Sequence, residues 1–238
     1  MKEAIVTGAA SGIGLATVQQ LVAARYHVHA IDINEAELLQ QMARFSDTVS
    51  MHAGDVSDAS LWSTVAQSLH GGLNLLVHSA FSLEAKPLHQ QTPEGWTRQL
   101  DVMLGSVLHS MRELHGILSH SEGSVVLVSS VHSHFGLRGH PAYAAAKGAL
   151  NALGRQMAVE YGPEIRVNSV VPGPIMTPIW ESVDPETIGE AAKGTALNRL
   201  GTAVEVADVI VFLASPLASY VDGAEIVVDG GWSIKKNP

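Results

Sequence analysis

The chain has 238 residues, 46 % hydrophobic and 16 % charged, enough for one large α/β domain expected over residues 1–238 and short for two. Its 14 Lys and Arg against 23 Asp and Glu give a formal charge of −9, which argues against a nucleic-acid partner, because binding a phosphate backbone rests on clustered cations. The absence of cysteine excludes disulfides, thiolate catalysis and cysteine-held zinc. No signal-like leader and no apolar run near the roughly 20 residues of a membrane helix is visible, so a cytoplasmic protein with no membrane partner is expected.

In chain order, short β-branched runs at 4–7, 27–31, 48–52, 73–78, 124–130, 166–170 and 225–228 read as strands. Helix-periodic stretches at 13–24, 35–43, 59–69, 93–118, 142–161 and 204–214 alternate with them. Such alternation implies a parallel sheet covered on both faces. Right-handed crossovers then make an α/β, Rossmann-type doubly wound fold, with a seven-stranded, mostly parallel sheet. The stretch 171–202, rich in Pro, Gly and Thr, reads as a loop with short helical pieces, placed to cover a cleft.

The first strand runs into Thr7-Gly8-Ala9-Ala10-Ser11-Gly12-Ile13-Gly14, and a helix follows. Gly8 allows a tight turn, Gly12 removes a Cβ where backbone must approach a pyrophosphate, and Gly14 lets the helix pack close to the sheet. The helix start offers free N–H groups and partial positive charge to an anion. Asp32 ends the second strand, 24 residues after Gly8, close to the spacing of an acidic residue that takes ribose hydroxyls. A carboxylate there repels a 2′-phosphate by ~4 kcal/mol per unit charge at ~4 Å and an effective dielectric of ~20. No Arg or Lys stands beside Asp32, or at Ser11, to offset this, so NAD is expected rather than NADP. Asp55, in Gly54-Asp55-Val56 after the third strand, reads both as a helix N-cap and as a neighbour of the adenine edge.

Ser130 closes the fifth strand, Tyr143 follows thirteen residues later and Lys147 four after that. A spacing of four puts the phenol and the ammonium on one helix face. The ammonium should lower the phenol from about 10 toward working pH and make it a general acid/base for a carbonyl or alcohol.

On these residues the chain resembles the short-chain dehydrogenase/reductase family over essentially its whole length. The glycine motif at Thr7–Gly14, the Ser130/Tyr143/Lys147 set, Asn168-Ser169-Val170-Val171-Pro172-Gly173 and Val228-Asp229-Gly230-Gly231 carry the resemblance. It implies Tyr143 as acid/base, Lys147 tuning it and holding the nicotinamide ribose, and Ser130 orienting the substrate oxygen. It places Gly8, Ser11, Gly12, Ile13, Gly14, Asp32, Ile33, Asp55, Val56, His78, Ser79, Ala80, Pro172, Gly173, Ile175 and Thr177 along the cofactor, with Thr177 at the nicotinamide phosphate or carboxamide. It also implies a homotetramer built on helices 93–118 and 142–161 and the C-terminal strand region.

Two family positions are not met. Asn-Asn-Ala-Gly after the fourth strand is His78-Ser79-Ala80-Phe81 here, with His78 expected in the place of the first Asn. The Asn that secures a lysine-linked water is Met103, a very weak acceptor and no donor, and Gln99, one turn earlier, is the expected substitute.

The substrate side is expected at His132, His134, Leu137 and His140, with Ile179 and Trp180, and three histidines there favour a polar substrate over a steroid-like one. Solvated loop histidines are the plainer reading. Twelve histidines also raise the question of a metal. His27/His29 and His132/His134 have strand spacing that places both rings on one face, but no HExxH and no matching carboxylate cluster accompanies them, so no metal is expected.

The expected activity is NAD-dependent interconversion of a secondary alcohol (polyol, sugar, cyclic diol or hydroxy acid) and its ketone. A non-catalytic NAD(H)-binding regulator of the same fold is the alternative, supported by the two departures and opposed by the intact Ser130, Tyr143 and Lys147. A nucleotide-sugar epimerase or dehydratase would need a differently spaced glycine motif and a larger C-terminal substrate domain.

Overall fold

Ala4, Ile5 and Val6 are fully buried, and a strand apolar on both sides has to lie inside a sheet covered on both faces. The computed structural model, which describes residues 1–235 and leaves the last three residues of the expected domain outside, places it there. The strands are β1 (Lys2–Thr7), β2 (Tyr26–Asp32), β3 (Val49–Ala53), β4 (Leu75–His78), β5 (Ser124–Val128), β6 (Arg166–Pro172), β7 (Ile175–Met176), β8 (Gly201–Thr202) and β9 (Glu225–Val228). Seven form one sheet in the order β3-β2-β1-β4-β5-β6-β9, and all of its pairings are parallel; β7 and β8 pair separately.

The connecting helices are α1 (Gly12–Ala23), α2 (Glu35–Met42), α3 (Ala59–Gln67), α4 (Pro93–Leu100), α5 (Ser106–His120), α6 (Pro141–Tyr161), α7 (Pro185–Gly194) and α8 (Ala203–Leu213). Strand alternation splits the core in two. Ala4 and Val6 pack with Val18 and Leu21 of α1 and Ile210 of α8, whereas Ile5 packs with Trp62 of α3, Leu114 of α5 and Leu150 of α6. Strand order reverses between β1 and β4, and the crevice beyond their C-terminal ends is where doubly wound sheets bind ligands. Among the described residues no helix is long and apolar enough to cross a membrane.

The expected helix 93–118 is two helices joined by a π-helical turn, Asp101–Gly105. Here the Ser106 hydroxyl donates to the Val102 carbonyl at 2.7 Å, a side-chain bond that competes with the backbone ladder and bends helices. The expected loop 171–202 contains β7, β8 and α7. Asp184 caps α7 by accepting from the Thr187 N–H at 2.9 Å, and Pro185 stands at its first position. The expected strand 124–130 stops at Val128, because Ser130 instead caps a short turn at Val131–Ser133, accepting from the His132 N–H at 3.2 Å.

Candidate active site

The glycine turn is closed by sterics. Gly8 has φ +66°, and a Cβ on it would stand 3.1 Å from the Ala80 backbone. A Cβ on Gly14 would lie 2.0 Å from the Gly8 carbonyl oxygen, so Gly14 is required by the turn itself rather than by the sheet. Gly12, at φ +53°, faces the Thr177 methyl, 3.3 Å from where its Cβ would be. These absences leave a bare backbone cradle at the start of α1, which fits a pyrophosphate. Thr7 ties the ends of β1 and β4 together: its Oγ1 accepts from the N–H groups of Ser79 and Ala80, both at 3.0 Å.

Asp32 is oriented by two backbone donors, Ala10 N–H to Oδ2 at 3.0 Å and Asn34 N–H to Oδ1 at 2.9 Å. A carboxylate has about four acceptor sites, so about two stay free for further donors. Asp55 is not the N-cap of α3; Asp58 is, accepting from the Ser60 N–H at 2.9 Å. Asp55 instead accepts from the N–H and hydroxyl of Ser57 and pairs with Arg98 at 2.6 Å. Burial pushes its carboxyl up, but these partners hold it below the usual range.

At the chemical end, Ser129 and Ser130 leave the top of β5. The Ser129 hydroxyl donates to the Lys147 carbonyl at 2.9 Å and fixes α6 against the strand. Lys147, buried, donates from Nζ to the Val128 carbonyl at 2.7 Å and lies 5.4 Å from the Tyr143 ring centre. The Ser130 hydroxyl stands beside the Tyr143 phenol and favours its ionised form. The expected fall of Tyr143 below its ordinary value is not met. Burial pushes the phenol up and the Ser130 contact pulls it back only in part. Burial also brings Lys147 down to about 7, which weakens the cationic influence assumed for it.

Both ends open into one cavity of about 920 Å³. Of the residues expected at the catalytic and cofactor positions, all line it except His78. His78 turns beneath the cleft, with Nε2 3.0 Å from the Ser110 hydroxyl and its ring 5.7 Å from that of Trp62. The Ser110 hydroxyl donates onward to the Val107 carbonyl, so Nε2–H is the donor to Ser110 and Nδ1 is left as a buried acceptor without a partner. Burial brings His78 down to about 3 and keeps it neutral.

The substrate side is changed in one member. His132 and His140 flank Tyr143, each with ring centres 6.4 Å away, and Leu137, Ile179 and Trp180 line the cavity. His134 instead meets Glu225, Nε2 to Oε2 at 2.9 Å, outside it. Sequence reasoning missed Trp232, whose ring lies 6.0 Å from that of His132. The signal was Asp229-Gly230-Gly231: both glycines have positive φ, and the Asp229 carboxylate accepts from the N–H groups of Gly231 and Ser233, each at 2.8 Å. It also missed Arg98, which pairs with Asp55 and lines the cavity, where Phe81 stands as well.

Gln99 does not replace the missing Asn. Its amide hydrogens go to Gln91 and the Gly95 carbonyl, both at 3.1 Å, and its carbonyl accepts from Glu84 N–H. Met103 is buried inside the π-helical turn and does not line the cavity.

The profile of the enoyl-(acyl carrier protein) reductase family matches residues 8–233. A tropinone reductase homologue of Arabidopsis thaliana is 34 % identical over 97 % of this chain and 89 % of its own. Senescence-associated protein 13 of the same plant is also 34 % identical, over 97 % and 90 %. A solved structure from Brucella melitensis, a short-chain dehydrogenase/reductase titled glucose/ribitol dehydrogenase, superposes with a TM-score of 0.92 at 30 % identity, covering 97 % of this chain and 96 % of that one. With this fold, this cleft and these relatives, the chain belongs to the short-chain dehydrogenase/reductase family of oxidoreductases.

Proposed function

We propose that the protein is an NAD-dependent oxidoreductase that interconverts a secondary alcohol and its ketone. The observation that carries this reading is that Ser130, Tyr143 and Lys147 share one cavity with the glycine cradle and Asp32. Gly8, Gly12, Gly14 and the N-terminus of α1 hold the pyrophosphate, and Asp32 takes the adenosine ribose. Ile33, Asp55 and Val56 border the adenine, with Ser79 and Ala80 along the ribose path. Pro172, Gly173, Ile175 and Thr177 wall the nicotinamide side. When bound, the nicotinamide supplies or takes up the hydride.

The chain's own work is proton transfer and positioning. Tyr143 gives its phenolic proton to the substrate oxygen in reduction and takes the hydroxyl proton in oxidation. Ser130, beside the phenol, donates to the same substrate oxygen and fixes its distance from Tyr143. Lys147 lies on the Tyr143 face of α6, where its amine holds the nicotinamide ribose and passes protons onward.

His132 and His140 supply polar contacts, and Trp180, Trp232, Leu137 and Ile179 supply an apolar wall. This combination favours a compact cyclic alcohol or ketone with at least one further polar group. The relatives' printed names, reductase on one side and dehydrogenase on the other, agree with that chemistry. The same reading includes a homotetramer, because Leu108 of α5 and Val159 of α6 are 60 % and 85 % exposed on the helices that would form its interface.

The test is a panel of cyclic diols, polyols, sugars and hydroxy acids, with the corresponding ketones, assayed with both nicotinamide cofactors. Turnover with kcat/KM favouring NAD(H) is expected. A preference for NADP(H) would overturn the cofactor choice, and tight NADH binding without any turnover would favour the regulator.

A further inference from the structure

The opposite rim of the sheet carries a cluster that the proposed oxidoreductase chemistry does not use. His27 and His29 leave the same face of β2, with ring centres 5.2 Å apart. Glu3, on neighbouring β1 and in register with His27, is 6 % exposed and brings Oε2 to 3.0 Å from His29 Nε2. The segment after α3 adds His70, whose Nδ1 is 3.6 Å from the same oxygen and whose N–H donates to Glu3 Oε1 at 3.0 Å. His27, His29 and His70 each present a ring nitrogen within 4.8 Å of the others. These groups lie at the N-terminal ends of β1 and β2, away from the cleft beyond the strands' C-terminal ends.

We propose that His27, His29 and His70 form a binding site for one divalent transition-metal ion of the zinc type, with the Glu3 carboxylate beside it. Imidazole and carboxylate are the donors such ions take. Four ligands at ~2.0–2.1 Å in a tetrahedron stand about 3.3–3.4 Å from one another. The three ring nitrogens, within 4.8 Å of one another, need only small rotations to reach that figure, and Glu3 Oε2 stands 3.0 Å from His29 and 3.6 Å from His70. His70 has a side chain 72 % exposed, so it can swing inward, and it leaves the site open to an entering ion.

The surroundings are those of ligands rather than of loose surface histidines. Metal-bound histidines ordinarily have their second ring nitrogen held by a polar partner. His29 Nδ1 faces His52 Nε2 at 3.1 Å and the Ser68 hydroxyl at 3.2 Å, and His27 Nε2 faces the Ser50 hydroxyl at 2.9 Å. On binding, the His29 proton that now serves Glu3 moves to Nδ1, where Ser68 or His52 accepts it, and Nε2 is bared to the ion. The ion joins β2 to the segment before β4, two parts of the chain about 40 residues apart in sequence.

The experiment is titration of the chelator-stripped, full-length protein with Zn²⁺ by calorimetry and with Co²⁺ by visible absorption. Wild type, His27→Ala, His70→Ala and, as a control, the exposed His89→Ala are compared. One equivalent of Zn²⁺ is expected in wild type and His89→Ala, with the melting temperature rising as Zn²⁺ is added. His27→Ala and His70→Ala should each bind at least ten-fold more weakly and give a diminished cobalt ligand-field band. No binding by wild type, or undiminished affinity in either variant, overturns the proposal. His70→Ala removes an exposed side chain, so its outcome is readable even if His27→Ala does not fold.

Discussion

The Val128 carbonyl accepts a 2.7 Å hydrogen bond from the Lys147 ammonium, its one polar partner among the described residues. That single neutral acceptor does not compensate for full burial, and Lys147 falls to about 7. The unfolded chain therefore binds more protons than the folded one between about pH 7 and 10.5, and folding is penalised while the lysine is charged. The penalty is full below about pH 7 and fades as pH rises through that window. Lys147→Met in the cofactor-free protein should raise stability at pH 7 by about 1–4 kcal/mol, the range seen when buried charges give way to apolar side chains. Turnover should vanish with it. Urea unfolding checks the first effect, and a destabilised variant would contradict it.

His78 and His52 make stability depend on pH in a predictable direction. Burial lowers them to about 3 and about 4, from an ordinary 6.5. Below pH 6.5 the unfolded chain takes protons that the folded chain refuses, so stability is lost as pH falls from about 6.5 toward 4. Each such group adds up to about 1.4 kcal/mol per pH unit. His78→Asn should flatten the fall, measured as urea midpoints at pH 7.5, 6.0 and 5.0. An unchanged slope would show that His78 does not carry its share.

Cofactor choice should move with Asp32. Removing its charge and adding a cation beside it, in Asp32→Ala with Ile33→Arg, reverses an interaction of ~4 kcal/mol per charge before screening. Because Ile33 is 66 % exposed, screening reduces the gain, and a shift of at least ten-fold toward NADPH in the kcat/KM ratio is expected. An unchanged ratio would remove Asp32 from the cofactor argument.

Met103→Asn tests the departure in the π-helical turn. Met103 is buried and offers no useful hydrogen bond, and Gln99 is engaged elsewhere. If proton transfer beyond Lys147 limits turnover, the Asn variant should raise kcat by a few-fold with little change in KM. No change, or a loss, would show that this position is not part of the relay.

Much of the fold and of the cleft was legible because it rests on short-range pattern. The continuous apolar run of β1, buried on both faces, and the crowded glycine turn at Gly8 and Gly14 are local consequences of residue type. The i,i+4 placement of Tyr143 and Lys147 is local too. What was not legible depends on which way a side chain turns once distant elements meet. His78 occupies the expected position but faces Ser110, and His134 is captured by Glu225 across 91 residues. The direction of the Tyr143 shift was misjudged because spacing reports an ammonium nearby but not the burial that outweighs it. His70 could not be joined to His27 and His29 from spacing, since the sheet and the segment after α3 bring them together.

The central claim is that Tyr143 moves the proton in an NAD-linked oxidation or reduction. Its most direct test is steady-state turnover of the best substrate by wild type and Tyr143→Phe, with NADH affinity measured on both. The account predicts a kcat lowered by about 10²–10⁴ in the Phe variant, with NADH affinity within a few-fold of wild type. Turnover that survives the loss of the phenol would contradict it.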